Sequence, residues 1–294
     1  MLKRLLSFSL LGLLLVSLSS FAKTETPVFV SAKWAHDHQD KVKFVDLSRQ
    51  YQKFHIPNAI FVNYGWLLKP KSRMEMSGGA DYMVKVLSQL GIHNDDYVVI
   101  YDDMGDLESS RLYWELTKLG HKKVSMLDGG SVAWILNGYP MTQKVNPLKP
   151  TQYQKPKTDF EAKYTATKDD VLKAIKDPNT HLIDARSEEE YIGNKKQKRS
   201  GHIPTAVLFP WQISVDGKHQ YKQRNGQQLA KFFKDLKIDN KQTHLILYCN
   251  TGHRAARLFT MFKSQGYDHI KLYDGSMQEW VQRIDLPVKQ GKNP

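Results

Sequence analysis

An internal duplication decides the kind of fold this chain can adopt. The segment Val98 to Trp134 aligns with the segment Leu245 to Trp280, and both run from an apolar stretch ending in Tyr to Asp-Gly and Trp. Upstream, residues 43–66 align with residues 181–211, and both contain Asp followed by His-Ile-Pro and a second apolar stretch. The period of about 140 residues is far longer than that of a solenoid, so the sequence predicts a duplicated domain.

Each copy has the pattern of an α/β domain. Short apolar runs alternate with helical patterns, which predicts a parallel sheet flanked by helices on both faces. The predicted strands are residues 42–47, 59–64, 97–102 and 123–127, then 181–185, 206–210, 244–249 and 270–274. Thr167 to Asp170 reads as a capping box, and the glycines that end helices are Gly91, Gly120 and Gly266. We predict an N-terminal domain at 23–142, a linker at 143–163 and a C-terminal catalytic domain at 164–290.

Residues 1–22 have the order of a secretory signal peptide. Lys3 and Arg4 precede an apolar run, and small residues lead to a cleavage site after Ala22. An uncleaved anchor is the alternative, because the run lies at the lower edge of membrane-spanning length. We expect an exported, periplasmic protein with no stable membrane association after cleavage.

The chain is basic, with a formal charge of +13 that becomes +11 without the signal peptide. Such a surface attracts anions. The Lys and Arg residues are spread along the chain with no block of interleaved aromatic residues, so we do not expect nucleic acid as a partner.

Cys249 is the only cysteine among 294 residues. In an oxidising compartment, paired cysteines become disulfides, but this thiol has no partner within its chain. It is therefore either a small buried residue or a free thiol kept for its chemistry. The polar neighbours Asn250 and Thr251 predict an exposed position, which favours a reactive thiol.

The residues around Cys249 form the turn between a strand that ends at Tyr248 and a helix that resumes near Ala255. Backbone N–H groups, the positive end of the helix dipole and Arg254 would favour the thiolate there. Gly252 permits a backbone angle that a residue with Cβ resists. We predict Cys249 as the nucleophile, and the predicted substrate-binding residues are Asn250, Thr251, Gly252, His253, Arg254 and Arg186.

Four motifs in order resemble those of the rhodanese sulfurtransferases. They are Asp-x-Arg at 184–186, Gly-His-Ile-Pro at 201–204, Cys-x-x-Gly-x-Arg at 249–254 and Asp-Gly-x-x-x-x-Trp at 274–280. The chain is similar to the tandem form, in which two rhodanese domains occur and only the C-terminal one keeps the cysteine. In that family the Asp-x-Arg pair more often ties the strand end to neighbouring loops than binds substrate.

The resemblance implies a two-step transfer of sulfane sulfur. A small anionic donor such as thiosulfate would leave a persulfide on Cys249, and a thiol, cyanide or a protein acceptor would then remove the sulfur. The resemblance implies no metal and no organic cofactor, and we expect a monomer.

The chain departs from this family at two places. Glu190 stands where the thiosulfate and mercaptopyruvate enzymes carry a second anion-binding arginine, unless the lysines of the insert 193–200 compensate. In the first copy, Asp102 stands at the cysteine position and Glu108 aligns with Arg254. That loop cannot form a thiolate cradle, so we expect a structural role for the first copy rather than a docking surface.

Several other residues have simpler predicted roles. His253 could donate to the bound anion or point to solvent, and we expect the solvent position. We expect His202 to bind backbone groups. Arg257 could face the loop or the solvent. Trp134 and Trp280 are predicted to fill the core.

Two other functions remain open. A binding module that relays persulfide or senses oxidants would use the same thiol. A cysteine phosphatase of this fold would need a loop one residue longer, with arginine at the position of Ala255.

Overall fold

The computed structural model describes residues 26–158 and 160–294. The predicted signal peptide lies outside these residues. Among the helices of the described residues, none is long and apolar enough to cross a membrane.

The N-terminal domain contains a five-stranded parallel sheet in the order β1-β5-β4-β2-β3. Its strands are β1 (Phe29–Val30), β2 (Lys43–Asp46), β3 (Ile60–Phe61), β4 (Val98–Tyr101) and β5 (Val124–Leu127). The short edge strand β1 is one that the sequence patterns do not predict, whereas the equally short β3 lies inside the predicted run 59–64.

The C-terminal domain repeats this topology in the order β6-β12-β11-β7-β8. Its strands are β6 (Thr165–Ala166), β7 (Thr180–Asp184), β8 (Val207–Leu208), β11 (His244–Tyr248) and β12 (Ile270–Tyr273). An antiparallel pair outside the sheet consists of β9 (Val215–Asp216) and β10 (Lys222–Gln223). The identical strand order confirms the duplication that the sequence alignment predicts.

Helices cover both faces of each sheet. Those of the first domain are α1 (Ala32–Asp37), α2 (Ala80–Gln89), α3 (Ser109–Lys118) and α4 (Gly130–Leu136). The others are α5 (Glu161–Tyr164), α6 (Lys168–Ala174), α7 (Glu188–Ile192), α8 (Gly226–Asp235), α9 (His253–Ser264) and α10 (Ser276–Trp280). Two 3₁₀ turns, Tyr64–Leu67 and Trp211–Ser214, follow β3 and β8. Trp134 and Trp280 are fully buried, as predicted.

Local capping follows the sequence signals. Thr167 and Asp170 form the predicted capping box of α6. Gly91, Gly120 and Gly266 have φ angles of 76°, 68° and 85°, which is the left-handed conformation that ends a helix. These confirmed local signals explain why the helix ends fall where the sequence predicts them.

The segment between the two sheets runs along the N-terminal domain. Thr151 N–H donates to the Ser88 carbonyl at 2.8 Å, and Thr151 Oγ1 donates to the Ile92 carbonyl at 2.6 Å. Tyr153 Oη contacts His121 Nδ1 at 2.8 Å. Helix α5 begins within the predicted linker and ends one residue beyond it, at Tyr164.

The two domains share one apolar core. α3 of the first domain packs against α9 of the second, and a single cluster of buried side chains includes Val45 and Leu112 together with Leu247, Cys249 and Phe259. The cysteine therefore lies beside the domain interface.

Candidate active site

Cys249 follows β11 at the carboxyl edge of the second sheet. Residues 249–252 form the turn into α9, and Gly252 has a φ of 78°, so its left-handed conformation is the one that the sequence predicts. The expected helix start near Ala255 is two residues late, because α9 begins at His253. We call residues 249–254 the cysteine loop. Its His253 and Arg254 lie in the first helical turn.

The segment after β12 braces this loop. Ser276 Oγ accepts hydrogen bonds from Cys249 N–H at 3.2 Å and from Gly252 N–H at 3.1 Å. Met277 N–H donates to the Cys249 carbonyl at 3.1 Å, and Gln278 N–H donates to the Asn250 carbonyl at 2.9 Å. The backbone around the thiol is therefore held on both sides.

Other backbone donors of the loop and at the start of α9 have no acceptor among the described residues. Within residues 26–158 and 160–294, no oxygen accepts a hydrogen bond from the backbone N–H groups of Asn250, Thr251, His253, Arg254 and Ala255. A helix N-terminus with unpaired N–H groups favours negative charge. The loop can therefore receive an anion at the thiol.

The equivalent loop of the first domain, which follows β4, also directs its backbone N–H groups inward. There they bind a carboxylate of the same loop. Asp102, at the cysteine position, accepts hydrogen bonds from the backbone N–H groups of Met104, Asp106, Glu108 and Ser109 at 2.8–3.0 Å. The Asp102 carboxylate thus occupies its own loop. This geometry explains why the first copy has no room for a reacting thiolate.

The thiol is covered. Cys249 is fully buried, so the exposure expected from its polar neighbours is wrong. The reason is tertiary, because Cys249 belongs to the apolar cluster that both domains share, and residues 75–77 of the N-terminal domain bind the segment after β12. Ser77 N–H donates to Asp274 Oδ2 at 2.7 Å, and Glu75 N–H donates to Gln278 Oε1 at 3.0 Å.

Glu190 and Arg254 form a bidentate ion pair. Arg254 Nη1 and Nη2 donate to the two Glu190 oxygens at 2.6 and 2.8 Å. The hydrogen bond from Arg254 lowers the pKa of Glu190 to about 2, against the opposing effect of partial burial. The carboxylate expected to repel an anionic donor is therefore neutralised by Arg254.

Arg186 links the end of β7 to the Gly-His-Ile-Pro segment. Its Nε and Nη2 donate to Asp184, and Nη2 also donates to the Gly201 carbonyl at 2.7 Å. His202 Nδ1 contacts the Tyr191 carbonyl at 2.8 Å, in line with its expected backbone role. The motif thus ties the end of β7 to the next loop.

The basic residues of the insert 193–200 have two different roles. Arg199 donates to the carbonyls of Trp280, Val281, Arg283 and Leu286 at 2.7–3.1 Å, so it anchors the end of α10. Lys195, Lys196 and Lys198 are exposed, and the first two line an open groove that also contains Arg186 and Asn250. The lysines can therefore add positive charge beside the loop.

Two side chains of α9 face the domain interface rather than solvent. The His253 ring lies 4.5 Å from the Tyr64 ring, centroid to centroid, so its expected solvent position is wrong. Burial lowers the pKa of His253 to about 4, and the charges of Arg111 and Arg254 act in the same direction. Arg257 is fully buried and donates to the Gly105 carbonyl at 3.0 Å and to Gln223 Oε1 at 2.7 Å. The contact between the two domains therefore determines the orientation of both side chains.

Arg111 is a site residue that the motif analysis does not find. It is fully buried in α3, and its Nη1 forms an ion pair with Asp274 Oδ1 at 2.6 Å. The angles at these two atoms do not meet the criteria for a hydrogen bond. A Cβ on Gly252 would lie 2.6 Å from the same Nη1. The alignment of the two copies could have identified it, because Arg111 aligns with Arg257, which follows the cysteine loop.

The sequence and fold match one known domain family twice. Residues 31–137 and 167–283 each match the model of the rhodanese-like domain. The chain belongs to the rhodanese family. Its two rhodanese domains share one topology, and only the second has the cysteine.

Relatives of similar length carry sulfur-transfer names. A Mycobacterium bovis protein, provisionally named thiosulfate sulfurtransferase 1, is 31% identical over 279 residues that cover 90% of this rhodanese chain and 98% of the relative. The sulfur carrier protein TtuD of Thermus thermophilus is 30% identical over 286 residues, covering 90% and 97% of the two chains. The chain is thus a member of the rhodanese sulfurtransferases.

Solved structures share the tandem rhodanese fold. SseA from Escherichia coli, described as a 3-mercaptopyruvate sulfotransferase, has a TM-score of 0.76 with 24% identity and covers 85% of this chain and 99% of its own. Tum1 from Saccharomyces cerevisiae has a TM-score of 0.80 with 23% identity and covers 92% and 100%. At these identities the likeness concerns the fold.

Proposed function

We propose that this rhodanese transfers sulfane sulfur from a small anionic donor to a thiophilic acceptor through a persulfide on Cys249. The observation that carries the proposal is the pair of equivalent loops. In the first domain the Asp102 carboxylate accepts four backbone N–H groups, whereas the second domain has a thiol at that position and N–H groups without an acceptor in the described chain. A thiolate or persulfide would complete the second loop as the carboxylate completes the first.

The chemistry needs only the cysteine and its donors. The Cys249 thiolate attacks the outer sulfur of the donor, the S–S bond of the donor breaks, and sulfite leaves with the bonding electron pair when the donor is thiosulfate. The backbone N–H groups of the cysteine loop stabilise the persulfide anion. Thiosulfate is the donor that the name of the M. bovis relative supports.

Intact mass spectrometry tests the first half-reaction. Reduced wild-type protein treated with thiosulfate is expected to gain one sulfur, about 32 Da, and to lose it on addition of cyanide. Cys249→Ser is the control and gains nothing. If thiosulfate, mercaptopyruvate and polysulfide all leave the wild-type mass unchanged, the proposal is wrong.

A relay that hands sulfur to a protein acceptor is the second candidate. Cys249 is fully buried, so every reagent needs an opening of the site, and a docked protein could supply it. The name of the T. thermophilus relative, a sulfur carrier protein, is consistent with this role. Slow discharge by cyanide with rapid discharge by one acceptor protein would support the relay.

We also propose export to the periplasm. The support is the sequence of residues 1–22, which lie outside the described residues. N-terminal sequencing of the native protein tests the proposal. A first residue of Lys23 in the periplasmic fraction supports export with cleavage after Ala22, and an intact Met1 in the cytoplasmic fraction contradicts it.

A further inference from the structure

Two side chains from different domains, Tyr64 and His253, lie against each other beside the cysteine loop, and each carries a buried polar atom. Neither Tyr64 Oη nor His253 Nε2 has a hydrogen-bond partner in the part of the chain that the structure describes. Their rings lie 4.5 Å apart at an angle of 41°. Tyr64 begins the 3₁₀ turn after β3, and His253 is the first residue of α9. Buried polar atoms without partners are rare and point to a ligand or an ordered water.

Both groups are neutral hydrogen-bonding groups near pH 7. Burial raises the pKa of Tyr64, so its hydroxyl keeps its proton and remains a donor. The pKa of His253 is lowered to about 4 by burial and by nearby arginines, so its imidazole carries no charge. The pair can therefore recognise a substrate by hydrogen bonds rather than by charge.

The charges around the pair come from both domains. Arg111 acts on both side chains, and it is itself paired with Asp274 at 2.6 Å and Glu115 at 3.5 Å. Arg254, which also acts on His253, is paired with Glu190. Both arginines thus stand beside the pair with their charges matched by carboxylates, so an incoming anion needs further donors.

The pair also lies close to the reacting sulfur. His253 belongs to the cysteine loop, and the Tyr64 ring lies against the His253 ring. A sulfonyl group bonded to the sulfur under attack has its oxygens two bonds away from that sulfur. A donor held for attack by Cys249 would therefore direct its oxygens toward this region.

We propose that Tyr64 and His253 recognise the oxygens of a thiosulfonate-type donor, a compound with a sulfane sulfur bonded to a sulfonyl group, of which thiosulfate is one. This inference rests on the proposed function and assigns donor specificity to a residue of the cysteine-free domain. Cys249 attacks the sulfane sulfur, the sulfur–sulfonyl bond breaks, and the sulfite or sulfinate leaves with the electron pair. The Tyr64 hydroxyl donates a hydrogen bond to an oxygen on which negative charge grows.

The test compares two donors in single turnover. Thiosulfate has sulfonyl-type oxygens, whereas inorganic polysulfide has sulfane sulfur and no oxygen. Tyr64→Phe is expected to slow persulfide formation from thiosulfate about 10- to 100-fold, as for loss of a hydrogen bond to a charged group, and to leave the polysulfide rate within about twofold. Tyr221→Phe, at a half-exposed tyrosine, is the matched control and leaves both rates unchanged.

Thermal unfolding separates this effect from misfolding. The Tyr64 hydroxyl has no partner within the described residues, so Tyr64→Phe is expected to keep or raise the midpoint. Equal slowing with both donors, or no slowing with either, overturns the inference. Wild type that reacts with polysulfide alone also overturns it and leaves the sulfurtransferase proposal standing. Wild type that reacts with neither these donors nor mercaptopyruvate overturns both.

Discussion

Arg254 and Glu190 form an ion pair beside the cysteine loop, with side chains that are about one quarter and one third exposed. Partial exposure keeps both groups in contact with solvent, where ion pairs are weak. Glu190 also caps α7 through Ser187. One residue therefore sets both the local charge and the start of a helix.

Replacing Glu190 by Gln separates these two effects. Gln at this position can keep the capping box but removes one negative charge. We expect the KM for thiosulfate to fall about fivefold, with little change in kcat, because the positive charge of Arg254 is no longer matched. Steady-state kinetics over a range of thiosulfate concentrations measures this change.

Glu188→Gln is the control, because Glu188 lies on the same helix and pairs at the surface with Lys292. Its KM is expected to remain unchanged. A higher KM for Glu190→Gln would contradict the prediction and would show that Arg254 needs Glu190 to hold its position.

The cysteine loop and α9 depend on one glycine. At Gly252 the φ of 78° is unfavourable for any residue with Cβ, and an added Cβ would lie 2.8 Å from Asp274 Oδ1 as well as 2.6 Å from Arg111 Nη1. The turn therefore admits the Arg111–Asp274 pair only because no side chain occupies this point.

Gly252→Ala tests this close approach. Gly138, after α4, has a similar φ of 74°, but none of the described residues places an atom within 4 Å of an added Cβ. We expect Gly138→Ala to cost about 1 kcal/mol of unfolding free energy from backbone strain alone. Gly252→Ala is expected to cost at least about 3 kcal/mol, because the buried ion pair must also shift.

Urea unfolding of the two variants and wild type gives these free energies. Equal losses for both variants would show that backbone conformation alone matters at Gly252. Slower persulfide formation by Gly252→Ala only, measured on folded protein, would link the same glycine to the reaction.

Each domain contributes one arginine that contacts the other domain across the interface. Arg111 of α3 reaches Asp274 of the second domain, while the equivalent Arg257 of α9 reaches the Gly105 carbonyl of the first. Duplication of one domain thus produced two related contacts. Only the Arg111 contact adjoins the cysteine loop.

This asymmetry makes Arg257→Met a matched control for Arg111→Met. Both changes are expected to lower the unfolding free energy, by about 3–5 kcal/mol for Arg111, since each leaves buried polar partners unmatched. Only Arg111→Met is expected to slow persulfide formation, by tenfold or more, because it releases Asp274 beside the loop. Stopped reactions analysed by intact mass under native conditions give the rates, and equal slowing by both variants would contradict the prediction.

The sequence by itself determined the duplicated fold and the cysteine turn. Apolar periodicity and glycine positions are local signals, so they predict most strands, the capping box at Thr167 and the left-handed Gly252. The two-residue strands β1 and β6 were missed, whereas β3 and β8, which are equally short, lie inside the longer predicted runs 59–64 and 206–210. The motif spacing also placed Cys249 at the carboxyl edge of its sheet.

The tertiary structure alone decided how the thiol is surrounded. Burial of Cys249, the inward position of His253, and the roles of Tyr64, Arg111 and Arg257 depend on which surfaces of the two domains face each other. Those partners lie far apart in sequence, and their contacts arise from the packing of α3 against α9. A local pattern specifies a helix and its apolar face, but the charged residue across an interface is specified only when both domains have folded.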